Sequence, residues 1–203
     1  MKNTIHFAEV IESCLDHYTA QCWQWNRFPS FGSLVYVQEE NKTIFGVVSH
    51  IQTGSMDPAR TPFPYQKTEA ELLAEQPQIF EFLKTTFTVQ IVGYEEKLTG
   101  SSETKIYHVL PPTPCKIHAF IAEGDHALKT RFFSGPEFLH LLFAFSNNIP
   151  NLDELLLAVI KQLASKKIFD HSNIDNFCQT FTLFTGNDYR RLKLFLKRVE
   201  ALL

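Results

Sequence analysis

Apolar and polar residues alternate with a period of two over much of the first half of the chain. In one such stretch Tyr18, Ala20 and Cys22 alternate with polar residues, which is the pattern of a strand with one buried face. About seven strands joined by short connections favour a small antiparallel or mixed barrel over a doubly wound parallel sheet. The predicted strands are residues 5–11, 18–25, 34–37, 44–51, 87–92, 106–110 and 117–121.

A long excursion, residues 53–83, interrupts the strand pattern. Three prolines in its first part remove backbone donors and fix φ, so we expect no regular structure there. Thr68 and Glu71 then have the spacing of a capping box, which predicts a short helix. Pro77 interrupts that helix, and the apolar residues after it predict another helical turn. The excursion is therefore interpreted as a structured lid or crossover.

After Glu123 the apolar residues recur at every third or fourth position, which predicts helices. Pro136 suits the first turn of one helix, and Asn151 is placed to cap the next. Asn173 is expected to open a third helix, and Gly186 to end it before a last helix. This half of the chain is therefore predicted to be a bundle of about four helices.

The two rhythms together predict an α+β chain of two domains. Residues 1–123 would form a barrel of about six to seven strands with a helical crossover, and residues 124–203 a helical bundle. A chain of 203 residues is long enough to bury a substantial core. Because 19 of these residues are Phe, against 2 Met and 2 Trp, we expect that core to be built around Phe rings.

Charge and composition limit which partners the protein is expected to bind and in which cellular compartment it is expected to lie. The formal net charge of −3 gives no overall field that would attract nucleic acid or an anionic membrane, so such binding would need a local patch. No apolar run approaches the roughly 18 residues of a membrane span, and the N-terminal residues lack a signal-peptide core. Four scattered cysteines suit reduced thiols. We expect a soluble, cytoplasmic protein.

Sequence motifs for catalysis are missing. The glycines do not form a phosphate-binding loop, so we predict no nucleotide hydrolysis and no cofactor. The eight histidines lack the local spacing of metal ligands, and no nucleophile elbow occurs. An enzyme would need a dispersed site, in which His50, His108 and His118 converge from neighbouring strands or Cys22 acts as a thiol. We regard surface or core positions as the better interpretation of these residues.

The stretch 54–67 is the most distinctive candidate for an interaction loop, because polar side chains are held among prolines. A partner or an anion is a plausible ligand for such a loop. The alternative interpretation is that its acidic and basic residues pair with each other and tie the loop down. The candidate residues are Gly54, Asp57, Arg60, Tyr65 and Lys67.

Two further features are compatible with nucleic acid. The last helix carries a basic face, which would suit nucleic acid or an acidic partner but is more often a solvated surface. An aromatic group near the end of the second strand would suit base stacking, although core packing is the commoner use of such residues. The basic residues are Arg190, Arg191, Lys193, Lys197 and Arg198, and the aromatic residues are Trp23, Trp25, Phe28 and Phe31.

Several short motifs in the barrel region resemble the HAS-barrel group. They are Phe31-Gly32-Ser33-Leu34-Val35, Ile44-Phe45-Gly46-Val47-Val48, Thr53-Gly54-Ser55-Met56-Asp57-Pro58 with Arg60, Glu75-Gln76-Pro77-Gln78-Ile79-Phe80, and Val92-Gly93-Tyr94. This small barrel is shared by the N-terminal regions of HerA-type translocases and the α and β subunits of F-type ATP synthase. The likeness, over about residues 1–122, is strongest to stand-alone bacterial proteins without an ATPase module. It implies a barrel that packs against neighbouring subunits and docks partner proteins.

These observations predict a non-enzymatic assembly or adaptor protein. Its barrel would mediate contacts with a protein partner or with further copies of the same chain, and the resemblance implies a ring ATPase as one class of partner. The first alternative is a nucleic-acid-associated protein that binds single strands. The second is an enzyme with a dispersed metal or thiol site.

Overall fold

The computed structural model describes residues 5–97, 104–169, 171–186 and 188–202. Within them the chain forms seven strands, six of which close into a barrel, followed by a series of helices. The predicted α+β class, with a barrel and then helices, is confirmed. The strands are β1 (His6–Ser13), β2 (His17–Cys22), β3 (Leu34–Gln38), β4 (Lys42–Ser55), β5 (Leu83–Lys97), β6 (Thr104–Tyr107) and β7 (Phe120–Glu123).

Closure of the barrel depends on the pairing of β2 with β5. The strands follow the order β2-β1-β7-β3-β4-β5, neighbouring strands are antiparallel, and the β2–β5 pair completes the ring. In that last pair Tyr18 lies opposite Val89 and Ala20 lies opposite Phe87. Among the described residues β6 pairs with β5 alone, so it extends the sheet outside the ring.

Apolar side chains fill the barrel interior. The fully buried rings of Tyr18 and Phe87 belong to this core, together with Cys22 from the end of β2. The register of β4 against β5 shifts between Phe45 and Gly46. A Cβ on Gly46 would lie 2.2 Å from Cγ1 of Val89, so this close approach of two strands admits only glycine.

Four of the α-helices begin at residues whose side chains cap them. Thr68 and Glu71 form the predicted capping box, and the side chain of Asn151 accepts a hydrogen bond from the N–H of Glu154, as predicted. Asp188 caps the last helix in the same way. The helices are α1 (Glu69–Glu75), α2 (His126–Phe132), α3 (Leu139–Ala144), α4 (Leu152–Ser165), α5 (His171–Thr185) and α6 (Tyr189–Glu200), with 3-10 helices at Pro77–Phe82 and Ser146–Asn148. The four with a side-chain cap are α1, α2, α4 and α6.

Several predicted boundaries are wrong. Residues 53–55 continue β4, because they pair across to β5 as far as Ser55 opposite Leu83. The last barrel strand lies later than residues 117–121, since the chain first turns at His118, whose φ is 65°. Five helices rather than about four follow the barrel in the described part of the chain, because the short α2 was missed. The helix predicted to open at Asn173 begins two residues earlier.

A second apolar core joins the helices to the outer face of the barrel. Leu34, Phe45 and Val47 point outward from β3 and β4 and belong to one cluster with the buried residues of α2 to α6. The ring of Phe45 lies 5.1 Å from that of Phe132 in α2, and ring contacts continue among the helices. Phe and Leu each supply eight of the 23 described buried residues of this core, so Phe rings are prominent in it, as predicted, but do not make up most of it. The boundary predicted near residue 123 falls between β7 and α2, and the cluster extends across it.

Polar contacts also tie the helices to the barrel. The side chain of Gln162 in α4 donates to the carbonyl of Phe31 at 2.7 Å and accepts from the hydroxyl of Ser33 at 3.1 Å. Lys129 in α2 is almost fully buried, and its Nζ lies 2.5 Å from the carboxylate of Glu123 at the end of β7. Burial lowers the pKa of Lys129, and the ion pair with Glu123 opposes that shift.

Removing the ring of Phe45 should show how strongly the stability of the protein depends on the contact between the barrel and the helices. Phe45 is fully buried between barrel and helices, so Phe45→Ala should lower the free energy of unfolding by about 3–5 kcal/mol. Phe63→Ala is the matched control, because this ring is 72% exposed and its loss should change stability by less than about 0.5 kcal/mol. Urea unfolding followed by circular dichroism measures both. Equal effects of the two substitutions would contradict the shared core.

Candidate interaction surfaces

The excursion between β4 and β5 is an exposed arm, residues 56–82. It stands on the paired ends of the two strands, where the N–H of Met56 donates to the carbonyl of Phe82 at 2.7 Å. No side chain of the arm is buried, although it contains α1 and a 3-10 helix. Trp25 supports its base, because its ring stacks on that of Phe80 at 5.3 Å. The arm therefore holds its shape through local hydrogen bonds and caps rather than through a core.

The polar residues predicted as an interaction loop are mostly paired within the arm. Nε of Arg60 lies 3.3 Å from Oδ2 of Asp57, which is the tie that the alternative interpretation predicts. Lys67 forms an ion pair with Glu75. Gly54 is not part of a loop, since it lies in β4 opposite Lys84. Because the Asp57–Arg60 pair is largely exposed, it contributes little to stability.

Among the exposed apolar side chains of the arm, the sequence pattern singled out Tyr65 as a candidate contact residue but not Phe63, Leu73 or Phe82. Phe63 is 72% exposed, and its ring contacts that of Tyr65 at 5.6 Å. The sequence did contain a signal for Phe63, because this apolar residue lies between two prolines and outside any strand or helix pattern. The large apolar residues exposed on the arm are Met56, Phe63, Tyr65, Leu73 and Phe82.

The predicted basic face of α6 is partly neutralised. Arg191 binds Asp153 through two nitrogens, at 2.6 and 3.0 Å, and Arg198 binds Glu154 at 2.6 Å. The hydrogen bond to Asp153 raises the pKa of Arg191. Both acids belong to the first turn of α4, so these ion pairs hold α6 against α4. Among the described residues, the basic side chains left exposed and without an ion pair on this helix are those of Arg190, Lys193 and Lys197.

A groove of about 1100 Å³ lies between the end of β6 and the helices. Its lining includes His108, Glu137 and His140 beside the rings of Phe143 and Phe184. Nδ1 of His108 is buried and has no hydrogen-bond partner among the described residues. Burial lowers the pKa of His108, and the charge of Glu137 and a backbone hydrogen bond at Val92 oppose that shift.

The residues proposed for a dispersed enzyme site occupy different surroundings. His50 is exposed on β4, His118 bonds Glu9 on the outside of the barrel, and His108 faces the groove. Cys22 lies inside the barrel, where burial raises the pKa of its thiol to about 11, so it is protonated at neutral pH. In the part of the chain that the structure describes, no three His, Cys, Asp or Glu residues are placed to hold a metal ion.

The predicted aromatic group is also divided. Trp25 supports the arm, and Phe31 packs against the second core. Trp23 and Phe28 remain about half exposed on the barrel. The four rings therefore do not form one stacking platform.

A scan against protein-family models finds no match for this chain, and a search of the curated proteins finds none. The resemblance to the HAS-barrel group therefore stays a prediction, and the structure establishes a small closed barrel. None of the helices described is both long and apolar enough to cross a bilayer.

The surroundings of His108 predict a pH dependence. Its pKa is lowered in the folded protein, so below the unfolded pKa of about 6.5 the unfolded chain binds a proton more readily. Stability should therefore fall as the pH drops below about 6.5, and His108→Gln should remove part of that fall. Urea unfolding at pH values between 7.5 and 5 measures the effect. His50→Gln, at an exposed position, is the control, and an unchanged pH profile in His108→Gln would refute the prediction.

Proposed function

We propose that this protein is a non-enzymatic assembly or adaptor protein whose barrel and arm mediate contacts with other protein chains. The observation that carries the proposal is the arm, which has defined secondary structure but no buried side chain. Ordering each of its residues costs about 1–2 kcal/mol, and burial within this chain does not offset that cost. A partner that covers Phe63 and its apolar neighbours would supply the missing burial.

The resemblance to the HAS-barrel group supports the same proposal. Barrels of that group form the contacts between subunits of ring ATPases and dock partner proteins. The phosphate-binding motif of those ATPases is absent from this sequence, which favours an accessory role beside such a ring or an assembly of copies of this chain.

The pairing of Ser55 with Leu83 allows the arm to be removed cleanly. Replacing residues 56–82 with Asn-Gly should close β4 and β5 through a tight type I′ turn. We expect the barrel to stay folded, because no buried side chain is lost, and assembly or partner capture to be abolished. Light scattering coupled to size-exclusion chromatography, together with a pull-down from the source cells, provides the measurement.

A second variant tests whether assembly depends on the apolar side chains of the arm or is weakened by removing exposed apolar side chains anywhere on the surface. Leu183→Ala with Tyr189→Ala removes two side chains that are 82% and 75% exposed on the helical side, and should leave assembly intact. Phe63→Ala with Tyr65→Ala on the arm should weaken it. A full-length protein that is strictly monomeric and enriches no partner would refute the proposed function.

The second candidate function is binding of single-stranded nucleic acid. It rests on Arg190, Lys193 and Lys197, which remain exposed and unpaired on α6 among the described residues. Three phosphate contacts give a salt slope of only about −2, since each contributes about −0.7 on single strands. Binding through this face would therefore be weak at physiological salt, which favours the assembly role.

Charge-reversal variants test whether α6 binds nucleic acid. If α6 binds nucleic acid, fluorescence anisotropy at low salt should detect binding to a labelled single strand, and Lys193→Glu with Lys197→Glu should abolish it. Lys105→Glu with Lys116→Glu changes the net charge equally at exposed positions outside α6 and should preserve binding. No anisotropy change with the unmodified protein at low salt would remove this function.

A further inference from the structure

We infer that Trp23, Phe120 and Glu9 form a site on the outer surface of the barrel for the cationic side chain of an arginine or lysine on a partner protein. The inference rests on the proposed function and names the chemistry of the partner. The sequence pattern suits Trp23 for base stacking or packing and does not single out Phe120 or Glu9. The pairing of β1 with both β2 and β7 brings the three together, because Trp23 directly follows β2.

The two rings meet at a right angle on the surface. The centroids of Trp23 and Phe120 are 5.3 Å apart, and their planes are inclined by 89°. An edge-to-face pair leaves a corner bounded by two π faces, and a cation is attracted to the negative face of each ring. Both rings are about half exposed, at 52% and 50%, so solvent reaches them.

The carboxylate of Glu9 holds this arrangement in place. Glu9 lies opposite Phe120 in the β1–β7 register, and its Oε1 accepts a hydrogen bond from Nε1 of Trp23 at 2.9 Å. Its Oε2 accepts from Nδ1 of His118 at 3.2 Å. The backbone N–H of Trp23 also donates to the carbonyl of Phe7 at 3.0 Å. Because the rings are fixed before binding, little conformational entropy is lost when a ligand arrives.

Charge complementarity favours a cation over an apolar group. Among the described residues, Glu9 is bonded to an indole and an imidazole but has no lysine or arginine partner. A neutral apolar partner would cover this carboxylate without compensating its charge, which is costly. A guanidinium or ammonium group can contact the ring faces and the carboxylate together.

This surface is also available to a partner. The apolar cluster that joins helices to barrel contains residues of β3, β4 and β5 but none of β1, β2 or β7 in the described part of the chain. The helices therefore cover one side of the ring and leave the Trp23–Phe120 corner uncovered. A partner can reach it without displacing part of this protein.

Matched small ligands test the site directly. We would titrate the full chain with N-acetyl-argininamide and with N-acetyl-citrullinamide, its neutral isostere, and follow the indole N–H resonances of Trp23 and Trp25 by NMR. The arginine compound should give a saturable shift at Trp23 and little change at Trp25, which stacks on Phe80. The citrulline compound should bind at least about fivefold more weakly.

Substitutions at Glu9 and Phe120 test the contributions of the carboxylate and of the aromatic ring to arginine binding separately. Glu9→Gln and Phe120→Leu should each weaken arginine binding about fivefold, whereas Phe120→Tyr, which keeps an aromatic face, should preserve it. The Trp25 resonance reports whether each variant is folded. Equal binding of arginine and citrulline compounds, or no shift at Trp23, would overturn the site.

These experiments distinguish failure of the cation site from failure of the proposed assembly function. Assembly that survives Glu9→Gln and Phe120→Leu, in a protein that fails to bind the arginine compound, would overturn this site and leave the arm-based role intact. Arginine binding by a protein that forms no assembly would support the site and refute only its role in protein contacts.

Discussion

The structure depends on one constraint, the closure of the sheet by β2 pairing with β5. Closure gives the barrel an interior that apolar side chains fill, and it leaves every strand of the ring with a neighbour on both sides. Within the ring, strand edges are therefore paired, whereas β6, outside it, pairs with β5 alone among the described residues. Side chains on the outside of the ring and segments that project from it are available for contacts with other molecules.

One part of the outer surface of the barrel packs against the helices, and another part is exposed to solvent. The faces of β3, β4 and β5 pack on helices through a core rich in Phe, and Gln162 and Lys129 add polar ties across it. The opposite side presents the corner of Trp23 and Phe120, and the extended ends of β4 and β5 present the arm. His50, His118 and Cys22, in contrast, lie apart from one another, and His108 lines the groove with Glu137 and His140.

Local features of the fold could be read from the sequence because they depend on neighbours along the chain. The capping box of Thr68 and Glu71 and the cap at Asn151 involve residues three positions apart. The period-two pattern around Tyr18 reflects one buried face of a strand. The candidate surfaces were only partly predictable: the Asp57–Arg60 tie is local and was anticipated, whereas Arg191 forms an ion pair with Asp153, which is distant in sequence.

The sequence by itself therefore determined the class of the fold, the order of most elements and the Phe-rich character of the core, because periodicity and capping act over a few residues. Tertiary structure alone decided which strands meet, how far β4 and β5 extend, and which side chains share a surface. Glu9, Trp23 and Phe120 come together through the pairing of β1 with β2 and with β7. Such pairing links residues that no local pattern connects.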